Sequence, residues 1–197
     1  MTAERSVLFF DVMDTLVYNP FFKEIPAFFG LTHEQLLDLK DPTAWQEFER
    51  GEITEAEYFQ RCFADGAQFD HQAFRACVDG AYRWVAGMEE QISELHARGY
   101  EMHALSNYPE WYQVIENKLR LSRYLEWSFV SCKTGIRKPS CGAYVNAASG
   151  VARPLEACLL IDDSLENCAG AQAAGMPAIP FREAVALRRE LVQRGIL

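Results

Sequence analysis

From Gly87 onward the chain alternates between amphipathic segments and short apolar segments. Such alternation predicts helices and buried strands in turn, which build right-handed strand–helix–strand units and a parallel sheet with helices on both faces. The expected order is helix 88–98, strand 100–106, helix 110–119, strand 127–131, helix 140–149, strand 157–161, helix 165–174, strand 177–180 and helix 182–194. An apolar run "SVLFF" at 6–10 supplies a further strand. The predicted fold class is therefore α/β.

Residues 18–86, which follow this first strand, differ in character and are called the helical insert below. They contain several amphipathic stretches with aromatic faces, and one of them, "THEQLLDLK", opens with a capping box of Thr and Gln. No strand pattern interrupts them. An insertion at the ligand-binding edge of a parallel sheet is well placed to act as a cap over the site. We predict a core formed by 1–17 and 87–197 and a helical cap formed by 18–86.

Composition excludes several classes of partner. The net charge is −9, whereas nucleic-acid backbones are bound by clustered Lys and Arg, so no nucleic-acid partner is expected. No apolar run reaches the roughly 20 residues of a membrane helix. The six cysteines include no Cys-x-x-Cys pair, which favours reduced thiols and a cytoplasmic location. The oligomeric state is left open.

Polar residues follow the predicted core strands or the segments after them: Asp11, Ser106 and Asn107, Lys138 in "GIRKP", and Asp162 with Asp163. Because the carboxyl ends of parallel strands meet at one edge of a sheet, these side chains are expected to share one cleft. Carboxylates at that density repel one another unless a cation lies between them, and Mg²⁺ is the expected ion.

An aspartate beside such an ion can attack phosphorus and form an aspartyl-phosphate, which water then hydrolyses. Lys138 would offset the negative charge, and Ser106 with backbone N–H groups would hold the phosphoryl oxygens. Each residue alone has a plainer explanation: Asp11 as a turn or helix cap, and Lys138 as a solvated loop residue. The four segments in this order favour the chemical interpretation.

In this order the segments resemble the four motifs of the haloacid dehalogenase superfamily, over essentially the whole chain. The resemblance implies a Rossmann-like hydrolase core with an inserted helical cap of the C1 type. It assigns Asp11 as the nucleophile and Thr15 as the threonine of the first motif. Ser106 matches the second motif, Lys138 the third, and Asp163 the metal-binding acid of the fourth. It also implies metal ligation by the backbone carbonyl of Met13 and support of the metal by Asp162 and Asn167.

A closer resemblance is to plant plastid flavin mononucleotide hydrolases and their relatives. It rests on "NPFFKEIPAFFGL", "SNYPEWYQVIENKLRLSRYLEWSF" and "RKPSCGAYV", and it implies a phosphatase that removes the phosphate of flavin mononucleotide. A planar flavin ring could stack on aromatic side chains. Asn107, Trp111 and Tyr112 lie at or just after the second strand's polar end, so they are predicted to contact this substrate.

Met13 stands where phosphatases of the superfamily carry an aspartate that protonates the leaving alcohol and then activates water. Methionine can do neither, and such groups contribute about 10²–10⁴-fold. Slow turnover or compensation is expected. The compensating group would be the adjacent Asp14, a substrate hydroxyl or a metal-ordered water.

The same substitution leaves other hypotheses open. Dehalogenases of the superfamily also lack the second aspartate but need no metal, which the pair Asp162 and Asp163 argues against. Phosphonate-cleaving relatives use a cap lysine as a Schiff base, and the helical insert offers only Lys23 and Lys40, which are expected at the surface. The last alternative is a catalytically weak or inactive protein that binds phosphate or flavin.

Overall fold

The computed structural model describes residues 5–197. Its core is one sheet of five strands in the order β3-β2-β1-β4-β5, and every neighbouring pair is parallel. The strands are β1 Val7–Phe10, β2 Met102–Ser106, β3 Glu126–Val130, β4 Cys158–Asp162 and β5 Ala178–Pro180. The predicted α/β class is confirmed, and the chain reverses its direction of winding between β1 and β4.

Helices account for most of the remaining described residues. They are α1 Glu24–Phe28, α2 His33–Leu39, α3 Ala44–Glu49, α4 Glu55–Arg61, α5 His71–Ala81, α6 Met88–Ala97, α7 Tyr112–Leu119, α8 Ser131–Thr134, α9 Cys141–Gly150, α10 Leu165–Ala174 and α11 Ala184–Gln193. The helices and strands predicted after Gly87 are all present, with ends that differ by one or two residues. The one-turn α8 follows β3 and was not predicted.

Two apolar layers cover the sheet because successive strand residues point to opposite faces. From β1, Leu8 and Phe10 pack with residues of α6, α7 and α11, whereas Val7 and Phe9 pack with residues of α9 and α10. All four side chains are buried. A strand that is apolar on both faces is typical of a central parallel strand, and this explains why the first run of the sequence does not alternate with polar residues.

The helical insert contains α1 to α5. Thr32 forms the capping box that the sequence predicts, with its side chain accepting from the Gln35 N–H. The two connections between the insert and the core run side by side: the Tyr18 N–H donates to the Arg83 carbonyl, and the Val85 N–H donates to the Leu16 carbonyl, both at 2.8 Å. The insert therefore leaves and rejoins the core at one place. Its behaviour as a separate cap stays a prediction.

Across residues 5–197, none of the helices combines the length and the apolar character needed to cross a membrane. All six cysteines are free thiols, which agrees with the expectation of reduced residues.

Candidate active site

The strand order places the predicted acidic residues together. Since β1 lies between β2 and β4, Asp11 directly follows the central strand, and its N–H donates to the Ile161 carbonyl at 2.9 Å. Asp162 ends β4, one residue later than the sequence predicts, and Asp163 follows it. Asp11, Asp162 and Asp163 each offer a carboxylate oxygen, and these oxygens lie within 4.8 Å of one another.

Lys138 lies at the centre of this cluster and is 1% exposed. Its Nζ donates to Asp11 Oδ1 at 2.8 Å and also to Asp162 Oδ2. Asn107 fixes the backbone of Lys138 from both sides: Asn107 Oδ1 accepts from the Lys138 N–H, and Asn107 Nδ2 donates to the Lys138 carbonyl, both at 2.8 Å. Asn107, which the sequence offers as a substrate contact, therefore also positions the lysine.

Burial and mutual repulsion dominate the electrostatics of the cluster. Burial raises the pKa of Asp11 to about 7; Lys138 opposes this, while Asp162 and Asp163 add to it. Burial and then Asp162 raise the pKa of Asp163 to about 6. Burial would lower the pKa of Lys138, but the two carboxylates that it contacts outweigh that effect and raise it. The three acids exceed the one ammonium in charge, so the cluster favours an added cation.

The donors suit Mg²⁺, because they are hard carboxylate oxygens gathered at one point. Asp162 is already engaged, since it accepts from Lys138, from the Ser164 N–H at 2.9 Å and from Asn167 Nδ2 at 3.0 Å. Asp163 is only half-buried. Its less crowded carboxylate is therefore better placed to ligate an ion, while Asp162 orients Lys138.

Two buried hydroxyl groups beside the cluster have no partner among the described residues. Thr15 is 0% and Ser106 is 2% exposed, and neither Oγ forms a hydrogen bond there. Leaving a buried polar group unpaired costs free energy, so such atoms commonly mark a site that a ligand or water completes. Both hydroxyls can donate to phosphoryl oxygens, which is the role that the sequence predicts for Ser106; Thr15 is expected only as the first-motif threonine.

Residues 12–17 form a tight turn directly after Asp11. The Asp14 N–H donates to the Val17 carbonyl at 2.7 Å, and the Asp14 side chain accepts from the Asn19 N–H at 3.1 Å. Asp14 has a φ of +56°, in the left-handed region that carboxylate residues tolerate in turns. Its carboxylate is thus part of the turn, whereas Met13 lines the adjoining cavity.

That cavity, of about 220 Å³, lies where the helical insert faces the core. The core and the turn contribute Met13, Asn107, Tyr108 and Trp111, and the insert contributes Asn19, Pro20, Phe21, Ile25, Phe29, Leu36, Lys40, Trp45, Tyr58, Cys62 and Phe74. The lining is mostly apolar and aromatic.

The structure separates the two aromatic residues predicted to contact substrate. Trp111 lines the cavity, but Tyr112 does not: its ring packs on Trp127 at 5.2 Å between centroids and under Lys133. A helix places consecutive side chains about 100° apart, so only one of the pair can face the cavity. The placement supports the role predicted for Trp111 and does not support that predicted for Tyr112.

The two lysines of the helical insert also differ. Lys23 is exposed, as expected, but the expectation fails for Lys40, which is half-buried and lines the cavity. The burial of Lys40 was not predictable, because this residue directly follows the short helix α2 and the residues it packs against lie elsewhere in the insert.

A contact that the sequence did not indicate joins the insert to residues 135–140, the loop that carries Lys138 and is called the lysine loop below. Glu49, the last residue of α3, is 2% exposed and pairs with Arg137, from Nε to Oε1, at 2.6 Å. Burial raises the pKa of Glu49, and Arg137 opposes the rise. The Ser131 hydroxyl donates to the Glu49 carbonyl and accepts from the Tyr108 N–H. The insert is thereby attached to residues next to Lys138.

Comparison with known proteins agrees with this site. The family description "haloacid dehalogenase-like hydrolase" matches residues 6–175. Flavin mononucleotide hydrolase 1 of Arabidopsis thaliana, a chloroplastic protein, is 42% identical over 190 residues, which is 96% of this chain and 78% of the relative. The sesquiterpene phosphatase astK of Aspergillus oryzae is 27% identical over 76% of this chain and 78% of its own length.

Solved structures share the fold at low identity. A HAD family enzyme of Bacteroides thetaiotaomicron, solved with magnesium and inorganic phosphate, has a TM-score of 0.71 at 17% identity, covering 91% of this chain and 96% of that one. A HAD-like family hydrolase of Porphyromonas gingivalis has a TM-score of 0.75 at 19% identity, covering 96% and 98%.

The chain belongs to the haloacid dehalogenase-like hydrolases. Both the predicted family and the prediction of a phosphatase enzyme are confirmed. The cytoplasmic location stays a prediction, and the Arabidopsis relative is a chloroplastic protein.

Proposed function

We propose that this protein is a magnesium-dependent phosphatase that hydrolyses a small phosphate ester, with flavin mononucleotide as the favoured substrate, through an aspartyl-phosphate on Asp11. The observation that carries the substrate is the 42% identity to a flavin mononucleotide hydrolase over 96% of the chain. The cavity supports it, because its lining is largely aromatic and planar rings pack well against aromatic side chains. Two lining residues connect it to the acidic cluster: Met13 is two residues after Asp11, and Asn107 holds the backbone of Lys138.

In the first step a carboxylate oxygen of Asp11 bonds to phosphorus, and the bond from phosphorus to the alcohol oxygen breaks. Lys138 keeps Asp11 in place and offsets part of the charge on the phosphoryl group. Thr15 and Ser106 donate to the phosphoryl oxygens with hydroxyls that have no partner among the described residues. In the second step water cleaves the aspartyl-phosphate, which releases phosphate and restores the Asp11 carboxylate.

Asp11, Asp163 and the Met13 carbonyl would hold the ion, and Asp162 with Asn167 would support it. When bound, Mg²⁺ supplies positive charge that neutralises the acidic cluster and the transferring phosphoryl group. Protons and a metal ion would compete for the same carboxylate oxygens. The raised pKa values of Asp11 and Asp163 show that their charged forms are disfavoured by burial and by neighbouring carboxylates, and a bound cation would offset this.

The proton required by the departing alcohol cannot come from Met13. One oxygen of Asp14 accepts from the Asn19 N–H, and burial raises the pKa of this carboxyl, so Asp14 stays a candidate source beside a hydroxyl of the substrate and a water that a bound ion would order. Slow turnover of alkyl phosphates follows from this arrangement.

A second candidate substrate class is favoured by the apolar lining of the cavity and by the 27% identity to a sesquiterpene phosphatase. In that case the leaving group would be a branched hydrocarbon alcohol rather than a flavin. Both candidates use the same Asp11 chemistry and differ only in what fills the cavity.

The test is phosphate release from flavin mononucleotide by the purified protein with Mg²⁺ and with EDTA. Release is expected only with Mg²⁺, and Asp11→Asn should reduce it at least 10³-fold, on the order of the loss of a catalytic nucleophile, while leaving the melting temperature close to that of the wild type. Activity that survives Asp11→Asn would exclude the mechanism. Tight flavin mononucleotide binding without phosphate release at excess enzyme would instead identify a binding protein.

A further inference from the structure

The cavity lies between an apolar cluster of the core and a smaller apolar cluster of the helical insert. Met13 and Trp111 belong to the apolar cluster that continues into the core, whereas Leu36 and Cys62 belong to a smaller cluster within the helical insert. Both clusters contribute to the lining. The lining also contains Met13, two residues after Asp11, and Asn107, which holds the backbone of Lys138. A leaving group that enters this cavity from the acidic cluster would therefore contact residues of the insert.

Among the described residues, Lys40 is the only lysine or arginine that lines the cavity. It is half-buried, and within residues 5–197 no carboxylate lies within 4.0 Å of its Nζ. The contact it does form is with the ring of Phe21, 5.3 Å from Nζ to the centroid. Lys40 thus has hydrogen-bond donors available to a ligand beside a mostly apolar lining.

We infer that Lys40 is a specificity-determining residue that donates a hydrogen bond from its ammonium group to an acceptor on the leaving group of the substrate. The class of substrate is a phosphate monoester whose alcohol carries a planar heteroaromatic ring with carbonyl oxygens at its edge. The aromatic lining holds the faces of such a ring, and Lys40 holds its edge. This inference rests on the proposed function and adds the recognition of the ring.

The same residue discriminates against hydrocarbon leaving groups. A branched hydrocarbon has no acceptor for the Lys40 ammonium, so binding it would remove water from that charge without replacing the lost hydrogen bonds. A flavin carries two ring carbonyls and satisfies the charge. Lys40 therefore distinguishes the two candidate substrate classes, although both fit an apolar lining.

The test compares Lys40→Met with Lys23→Met, a matched change at the exposed lysine of the same insert. We expect Lys40→Met to lower kcat/KM for flavin mononucleotide by about 10–100-fold, to leave phenyl phosphate, whose ring carries no acceptor, unchanged, and to improve or preserve activity on farnesyl monophosphate. Lys40→Arg should retain most of the activity on flavin mononucleotide, and Lys23→Met should behave like the wild type.

Riboflavin binding, followed by the quenching of flavin fluorescence, supplies a readout without turnover. Lys40→Met should weaken the riboflavin Kd by a similar factor, and unchanged binding would overturn the inference. If the wild type binds riboflavin through Lys40 but releases no phosphate from flavin mononucleotide, the proposed function fails and the inference stands. A wild type that neither binds riboflavin nor hydrolyses flavin mononucleotide overturns both.

Discussion

At the scale of single residues, Met13 is the position where the expected acid of the family's phosphatases is missing. It is 8% exposed, lines the cavity and lies two residues after Asp11, the proposed nucleophile. A carboxylic acid at this position would lie two residues from Asp11 and could protonate the leaving alcohol, which the methionine thioether cannot do.

We predict that Met13→Asp raises kcat for flavin mononucleotide by about 10–100-fold, because its leaving group is an alkoxide that needs a proton. The same variant should change kcat for p-nitrophenyl phosphate little, because nitrophenolate leaves without protonation. Steady-state kinetics with both substrates measures the difference.

Met13→Asn is the matched control, since the amide has the size of the carboxylic acid but no transferable proton. Equal rates for the Asp and Asn variants on flavin mononucleotide would show that the proton already comes from elsewhere. A gain on both substrates would indicate an effect on binding or geometry.

The residues that carry chemistry were predictable where they end a strand. Asp11, Ser106 and Asp162 end or follow apolar runs, and the carboxyl ends of parallel strands lie at one edge of the sheet, where the adjacency of β2, β1 and β4 then brings these residues together. The role of Asn107 was not predictable, because its two hydrogen bonds reach a backbone 31 residues away. The burial of Lys40 was not predicted either, because a single lysine at the end of a short helix carries no periodic signal.

At the scale of elements, a close approach between α10 and the lysine loop fixes the position of Lys138. Gly170 lies on α10, and a Cβ built there would be 2.9 Å from both the Cβ and the carbonyl oxygen of Pro139 and 3.0 Å from the Tyr144 hydroxyl. Pro139 directly follows Lys138. A glycine at this point lets the loop lie against the helix.

Gly170→Ala is therefore expected to displace Pro139 and Lys138 and to lower kcat by about 10–100-fold, since small misplacements of catalytic groups are costly. Overpacking should also reduce the free energy of unfolding by about 1–3 kcal/mol. The measurements are kcat for flavin mononucleotide, below the melting temperature, and urea unfolding.

Gly142→Ala on α9 is the control, because its Cβ would be 3.6 Å from Ile136 and 3.7 Å from Ser140, which are ordinary contacts. It should leave kcat unchanged. Matching losses of kcat in the two variants would mean that the spacing at Gly170 does not govern the position of the lysine.

The starts of helices were the most predictable feature of the fold, whereas the strand order was not predictable. The start of α2 is predicted by the capping box of Thr32 and Gln35, which lies within four consecutive residues. The order β3-β2-β1-β4-β5 depends on pairings between strands up to about 150 residues apart, such as Val7 with Cys158. The residues of one strand do not indicate which other strand it pairs with.

At the scale of the whole molecule, an ion-pair cluster joins α6 to α11. Glu94 accepts from Arg188 of α11 at 2.5 Å and from Arg98 of its own helix at 2.7 Å. The hydrogen bonds from Arg188 and then Arg98 lower the pKa of Glu94 from its ordinary 4.5 to about 2. Since the folded-state pKa is depressed, its stabilising effect is present above pH 4.5 and is lost as the pH falls towards 2.

Glu94→Gln should therefore lower the melting temperature at pH 7 by about 1–3 °C, as for an exposed ion pair. The difference from the wild type should close as the pH falls from about 4.5 towards 2, and it should shrink at high salt. Thermal melts followed by circular dichroism measure it. Glu90→Gln removes the same charge from an exposed position of α6 and should show no such trend; a constant difference at every pH would exclude the ionic explanation.

The paired connections at Tyr18–Arg83 and Leu16–Val85 have an evolutionary consequence. The two ends of the insert lie side by side, and the entropic cost of bringing the ends of an inserted segment together rises only slowly with its length. The sheet can therefore exchange one such segment for another of different size and shape without altering its own pairing. Under the proposed function, replacement of the insert would change the residues around the leaving group, while Asp11, Ser106 and Lys138 would stay with the core.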